Sequence, residues 1–136
     1  MPLIYKDHRR KAITANLEYL DRRLVSVGLQ GDKGRKLRTA TFSNAAVGAV
    51  HHFGLAGFRR RPWMVDGEKR LRATTKSLMA RCYSAAIRGG QSQIDSALGA
   101  LAAHLVLATR AGVDMYDVID TGEMRASITA VVGDRA

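Results

Sequence analysis

Cysteine is nearly missing from this chain of 136 residues, where Cys82 stands alone. A single thiol closes no intramolecular disulfide and gives a metal site no cysteine pair. Leu71, Thr75, Leu78 and Ala85 flank it at helical spacing, so Cys82 reads as a small core residue suited to a reducing compartment, not as a nucleophile. Aromatic residues make up only 6% of the chain, which leaves the core to Leu, Val, Ile and Ala. Long apolar runs are lacking too. The most apolar stretch, 97–108, is interrupted by His104 and is too short to span a bilayer. Met-Pro-Leu-Ile-Tyr at the start leads into charge, which is not the pattern of a signal peptide, so a cytoplasmic site of synthesis is expected.

Acidic residues are scarce, with 12 Asp and Glu against 22 Lys and Arg, for a net charge of +10. The imbalance is uneven. Residues 1–88 hold 19 basic and 6 acidic groups, while residues 89–136 hold 3 and 6. Such asymmetry points to a nearby polyanion, or to unlike surfaces meeting between neighbouring subunits. The length fits one domain, 1–136, which buries roughly two-thirds of its unfolded surface around a single core.

Periodicity orders the chain. Ile13, Leu17, Leu20 and Leu24 form one helical stripe, which predicts an N-terminal helix within residues 1–23. Val25, Val27 and Leu29 alternate with Ser26 and Gly28 and predict a strand. Gly31 and Gly34 then bracket Asp32-Lys33, and the basic run Lys33, Arg35, Lys36, Arg38 has no apolar period. Residues 31–43 are therefore expected to be a projecting flexible loop, or a hairpin with the glycine turn at its tip. Ser43 or Asn44 can cap a short helix through His52, with Ala45, Val47, Ala49 and Val50 packed closely and Gly54 closing it. Pro62 predicts an extended arm over 55–64. A long helix is expected over 65–88, with Asp66 and Glu68 near its positive end, stopped by Gly89-Gly90. Another is expected over 92–110, its stripe Ile94, Leu98, Leu101, Leu105 and Ala108, closed by Gly112. Residues 127–132 read as a final strand. The fold class is α+β: one small domain with helices packed on a short mixed or antiparallel sheet.

Catalytic constellations fail on spacing. His51 and His52 are adjacent and point about 100° apart on a helix, so they do not share an ion, and His104 reads as a packed, hydrogen-bonded core histidine. The Gly31–Lys36 segment has the flavour of a phosphate loop but not its spacing, and no Ser or Thr follows Lys36 to hold magnesium. Asp114, Asp117, Asp120 and Glu123 lack the order of a calcium loop and read as a solvated acidic turn. The expectation is no enzyme, no cofactor and no metal. Basic segments at 6–11, 33–38, 59–61 and 69–76 are individually ordinary solvated faces. Together they suit sequence-blind contact with phosphates, without a helix-turn-helix or an aromatic reading platform.

Three separated motifs go further. They are Ala49-Val50-His51-His52-Phe53-Gly54, then Arg61-Pro62-Trp63-Met64, then the segment 118–128 built on Asp120-Thr121-Gly122 and ending in Ser127-Ile128. Their order and spacing over roughly residues 24–132 resemble the tail-completion and tail-terminator family of long-tailed bacteriophages, also labelled virion morphogenesis proteins. Two positions depart from the family's pattern: His52 stands where an acidic or amide residue is usual, and Arg59-Arg60 stands where Ile-Pro is common.

The resemblance implies a structural subunit of a virion neck, assembled in the host cytoplasm. It would form a homo-oligomeric ring, expected to be hexameric, that caps the tail tube, docks on head-closure or connector proteins and lets genomic DNA through its lumen. A head-closure or head–tail adaptor role in the same neck is the alternative. A sequence-nonspecific DNA-binding protein is the more remote one. No membrane is implied. Structural or interface roles fall on Phe53, Gly54, Arg61, Pro62, Trp63, Met64, Asp120, Thr121 and Gly122. In that reading Phe53 plugs the core, Trp63 is an anchor, and Asp120-Thr121-Gly122 is a turn. DNA- or partner-facing charge falls on Lys33, Arg35, Lys36, Arg38, Arg59 and Arg60.

Overall fold

The computed structural model describes residues 2–38, 43–55, 57–116 and 122–135. In chain order the elements are α1 (Pro2–Asp21), β1 (Arg23–Gly28), α2 (Gly31–Arg35), α3 (Asn44–Phe53), α4 (Trp63–Arg70), α5 (Arg72–Arg88), α6 (Gln91–Tyr116), α7 (Glu123–Ala126) and β2 (Thr129–Asp134). The α+β class holds. The sheet has two antiparallel strands, paired from Arg23 with Asp134 to Gly28 with Thr129, so the two ends of the chain meet in it.

The core forms around α6, whose positions Ile94, Leu98, Leu101 and Ala108 are buried. The first half of α6 packs with Cys82 and Ala86 of α5, with Tyr19 and Leu20 of α1, and with Val25 and Val132 of the sheet. The second half meets Trp63, Met124 and Ile128 through Val113. Cys82 is buried as expected, and burial raises its thiol pKa. His104 Nε2 lies 2.9 Å from Thr75 Oγ1, which ties α6 to α5. With 26 residues, α6 is long and apolar enough to cross a membrane by length and composition, further than the interrupted run at 97–108 suggests; here its apolar stripe faces the core.

Several expectations are corrected. The N-terminal helix ends at Asp21, and the strand begins at Arg23. Leu17 of α1 and Leu24 of β1, both in the helical stripe read from the sequence, remain exposed and line a groove of about 610 Å³ with Met79, Tyr83, Leu98 and Leu105. The predicted helix over 65–88 is two helices. The chain breaks at Leu71 (φ −111°, ψ 19°), where the Leu71 amide bonds to Glu68 instead of continuing the four-residue ladder. The break turns α4 onto the C-terminal half of α6.

There Gly67 and Gly112 face each other. A Cβ on Gly112 would lie 1.7 Å from the Trp63 carbonyl oxygen, and one on Gly67 would lie 2.2 Å from the Ala108 oxygen. Gly112 therefore does not close its helix. It lies inside α6 because two backbones must touch at that point. The last strand runs over Thr129–Asp134, two residues later than expected, with Ile128 buried just ahead of it.

Residues 31–43 are not a projecting loop where they are described. Gly31–Arg35 form a helical turn, Gly34 is buried, and a Cβ on it would lie 2.5 Å from the Leu29 carbonyl oxygen. Leu37 and Ser43 form an antiparallel bridge that Gly31 and Gly34 precede, so the glycines do not lie between its two sides; residues 39–42 lie outside the described ones.

Candidate functional site

The first motif forms α3. Ser43 caps it by accepting the Ala46 amide at 3.2 Å. Its buried face is Asn44, Gly48 and His52, spaced four apart. Phe53 comes one residue later, about 100° around the helix, and is 63% exposed. The expectation that Phe53 plugs the core is thus wrong, and His52 fills that place. Gly54 takes the left-handed conformation (φ 71°, ψ 43°), where its amide bonds to Val50 O at 3.0 Å. A side chain there would also strike the Arg60 backbone at 2.8 Å.

From Leu55 to Pro62 the described residues run outside regular structure, but not as the extended arm expected: the Phe58 amide bonds to Leu55 O at 3.1 Å in a turn. The arm ends earlier than expected, because Trp63 and Met64 already belong to α4. The Arg61 amide donates to His51 O at 2.8 Å, which folds the arm back on α3. Pro62 stands just ahead of α4, where its missing N–H costs nothing and its carbonyl accepts the Asp66 amide at 3.0 Å.

Trp63 is 2% exposed. Its Nε1 donates to Gly48 O at 3.1 Å, and its ring meets His52 edge-on at 5.9 Å between centroids. Gly48 makes this approach possible, since a Cβ there would lie 3.2 Å from the indole and 2.5 Å from Leu29. Trp63 is an anchor within its own domain.

The third motif closes on the same place. Gly122 is left-handed (φ 75°) ahead of α7, and Met124 and Ile128 pack against Trp63 and Val113. Asp120 and Thr121 lie outside the described residues. Asn44, fully buried, donates through Nδ2 to Lys33 O at 2.9 Å and Ser127 Oγ at 3.2 Å. It joins α2, α3 and the third motif, a role that sequence reasoning missed. The Asn44, Gly48, His52 spacing was its only signal.

Arg110 Nε donates to Arg125 O at 3.1 Å, and the Arg125 guanidinium pairs with Asp114 at 2.9 Å. Thus Asp114 and Glu123 are not simply solvated. Lys36 Nζ lies 3.0 Å and Arg38 Nε 3.6 Å from the Glu123 carboxylate. The Lys36 contact, aided by the Arg38 charge, holds the Glu123 carboxyl below its usual range.

Lys36 and Arg38 therefore have an intramolecular acidic partner, although Lys36 stays exposed. Lys33, Arg35, Arg59 and Arg60 remain exposed. Burial lowers the pKa of both His51 and His52; Arg61 adds to the first, while Arg60 adds to the second and Asp66 opposes it.

Phe53, Leu55 and Phe58 form an exposed apolar turn beside Arg59 and Arg60, with Phe58 against His51 at 5.6 Å between rings. Among the described residues, no three His, Cys, Asp or Glu side chains converge in a way that could hold a metal ion. What this arrangement can do is pack, and present apolar and basic groups. No family model, curated protein or solved structure matches this chain.

Proposed function

We propose that this chain is a structural subunit of a long-tailed bacteriophage neck, a tail-terminator or tail-completion protein that forms a homo-oligomeric ring between tail tube and head connector. The observation that carries the reading is the convergence of the three motifs. His52 of the first, Trp63 of the second, and Met124 and Ile128 of the third, spread over more than 70 residues of sequence, meet around one indole. Residues packed in this way suit a structural frame. The exposed turn at Phe53, Leu55 and Phe58 adds support, since apolar groups clustered at a surface suit contact with a neighbour. Unlike charge on the two parts of the chain suits a ring stacked between different partners and threaded by DNA.

The test is a phage lacking this chain. The expected lysate contains complete heads and tails that do not join, and supplying the chain restores joining. Joined, infectious particles without it would refute the proposal. The high basic charge supports a second reading, a free sequence-blind DNA-binding protein. Normal neck assembly without the chain, together with tight salt-sensitive DNA binding by the isolated protein, would favour it.

A further inference from the structure

The basic residues that the resemblance turns toward DNA or a partner lie on α2, just after it, and on the arm. The structure draws attention to a different surface, the α5–α6 hairpin. From Arg72 to Arg88, α5 carries four basic residues and no acidic one. At 100° per residue, Thr74, Ser77, Arg81, Ser84 and Arg88 fall within a sector of about 80° and extend over about 21 Å of helix. All five are exposed, and neither Arg81 nor Arg88 has an ion-pair partner among the described residues.

The stripe borders a shallow groove of about 480 Å³, which Ser92, Gln93 and Ser96 of α6 line from the other side. Among the described residues, no carboxylate lines this groove. The nearest acidic residue of α6, Asp95, accepts the Tyr19 hydroxyl at 2.7 Å on the α1 side.

We propose that this stripe and groove bind the phosphodiester backbone of duplex DNA. Guanidinium groups two helical turns apart, with hydroxyls between and opposite them, supply charge-assisted and neutral donors to successive phosphate oxygens along an extended anion. The same surface offers no ring for a base to stack on, which argues against single strands, and no cluster of amides to read base edges. Contact is therefore with backbone alone and is blind to sequence. The proposal rests on the neck-ring reading for the source of the duplex, the genome in the lumen, and it assigns α5 to the lumen wall.

The experiment compares the full chain with R81Q/R88Q and with K33Q/R35Q, a charge-matched control on α2. Binding of a 30-base-pair duplex is followed by fluorescence anisotropy across a salt series, with melting curves to verify that each variant folds. R81Q/R88Q should weaken binding by about tenfold at low salt and lower the log–log salt slope by about two, while the control changes affinity by less than about threefold. Equal losses in both variants, no salt-dependent binding by the wild type, or equally tight binding of a polyglutamate of matched charge would overturn the assignment. Head–tail joining in phage carrying each variant separates the two ideas. Unjoined particles without the chain, together with indifference of DNA binding to R81Q/R88Q, would leave the ring reading standing and remove this one. The reverse pattern would remove the ring reading and keep the stripe.

Discussion

Trp63 is the residue on which most of the fold depends. Its side chain is buried, its Nε1 satisfies the Gly48 carbonyl, and its own carbonyl lies against Gly112. Trp63→Ala should cost about 3–5 kcal/mol in urea denaturation, and Trp63→Phe about 1–3, since the latter keeps most of the packing but orphans a buried acceptor. Gly112→Ala should cost at least about 3 kcal/mol, because the added methyl meets backbone that cannot rotate away. A Gly112→Ala protein as stable as the wild type would contradict the packing described. The importance of Trp63 was legible from Pro62 and the arm. That of Gly112 was not, because a glycine near the end of an apolar period looks like a stop until its partner helix is known.

His52 gives the same region a pH dependence. A histidine whose folded pKa is lowered contributes stability that is present above its ordinary value of about 6.5 and is lost as pH falls below it. The melting temperature should therefore drop between about pH 7 and pH 5, and His52→Gln, which cannot titrate, should flatten that drop. An unchanged pH profile in the variant would show that His52 does not carry the effect.

At the scale of elements, the sequence reading succeeded where a single periodicity ruled and failed where a contact with another element decided. The α6 stripe and the α3 cap and left-handed glycine were legible because each is a local pattern of side-chain period or backbone geometry. The break at Leu71 was not, because nothing in the run from Trp63 to Arg88 forbids a continuous helix; the close approach of Gly67 to Gly112 demands the turn. The ion pairs of the basic segment were missed for a similar reason. Its counter-charge, Glu123, lies about ninety residues away in sequence, and no local pattern points to it.

The C-terminal elements α7 and β2 are held to α6 by Arg110, which donates to the Arg125 carbonyl. Arg110→Met should speed amide exchange across 123–134 while leaving amides around Ile94 and Leu101 protected. Uniform acceleration everywhere would mean that these elements open only with the whole domain.

For the whole molecule, two surfaces stand out. The apolar turn at Phe53, Leu55 and Phe58 and the groove beside Leu17, Leu24 and Met79 are built from different elements. Contact between unlike patches on successive copies is heterologous and closes a ring when the rotation allows it. Phe53→Ser with Phe58→Ser should leave the melting of the isolated chain within about 0.5 kcal/mol of wild type, as for other exposed positions, while reducing assembly seen by native mass measurement. Equal assembly in the variant would remove that turn from the interface.

The charge asymmetry belongs to this scale as well. The acidic part of the chain supplies α7 and β2, and the basic part supplies α5, so the proposed ring would present unlike charge to what lies above, below and within it. The proposed neck-ring role is tested most directly by cryo-electron microscopy of phage particles searched for this chain. The account predicts several copies arranged as a closed ring at the head–tail junction, with Trp63 buried inside each copy. Finding the chain elsewhere in the particle, or as a single copy at the junction, would contradict it.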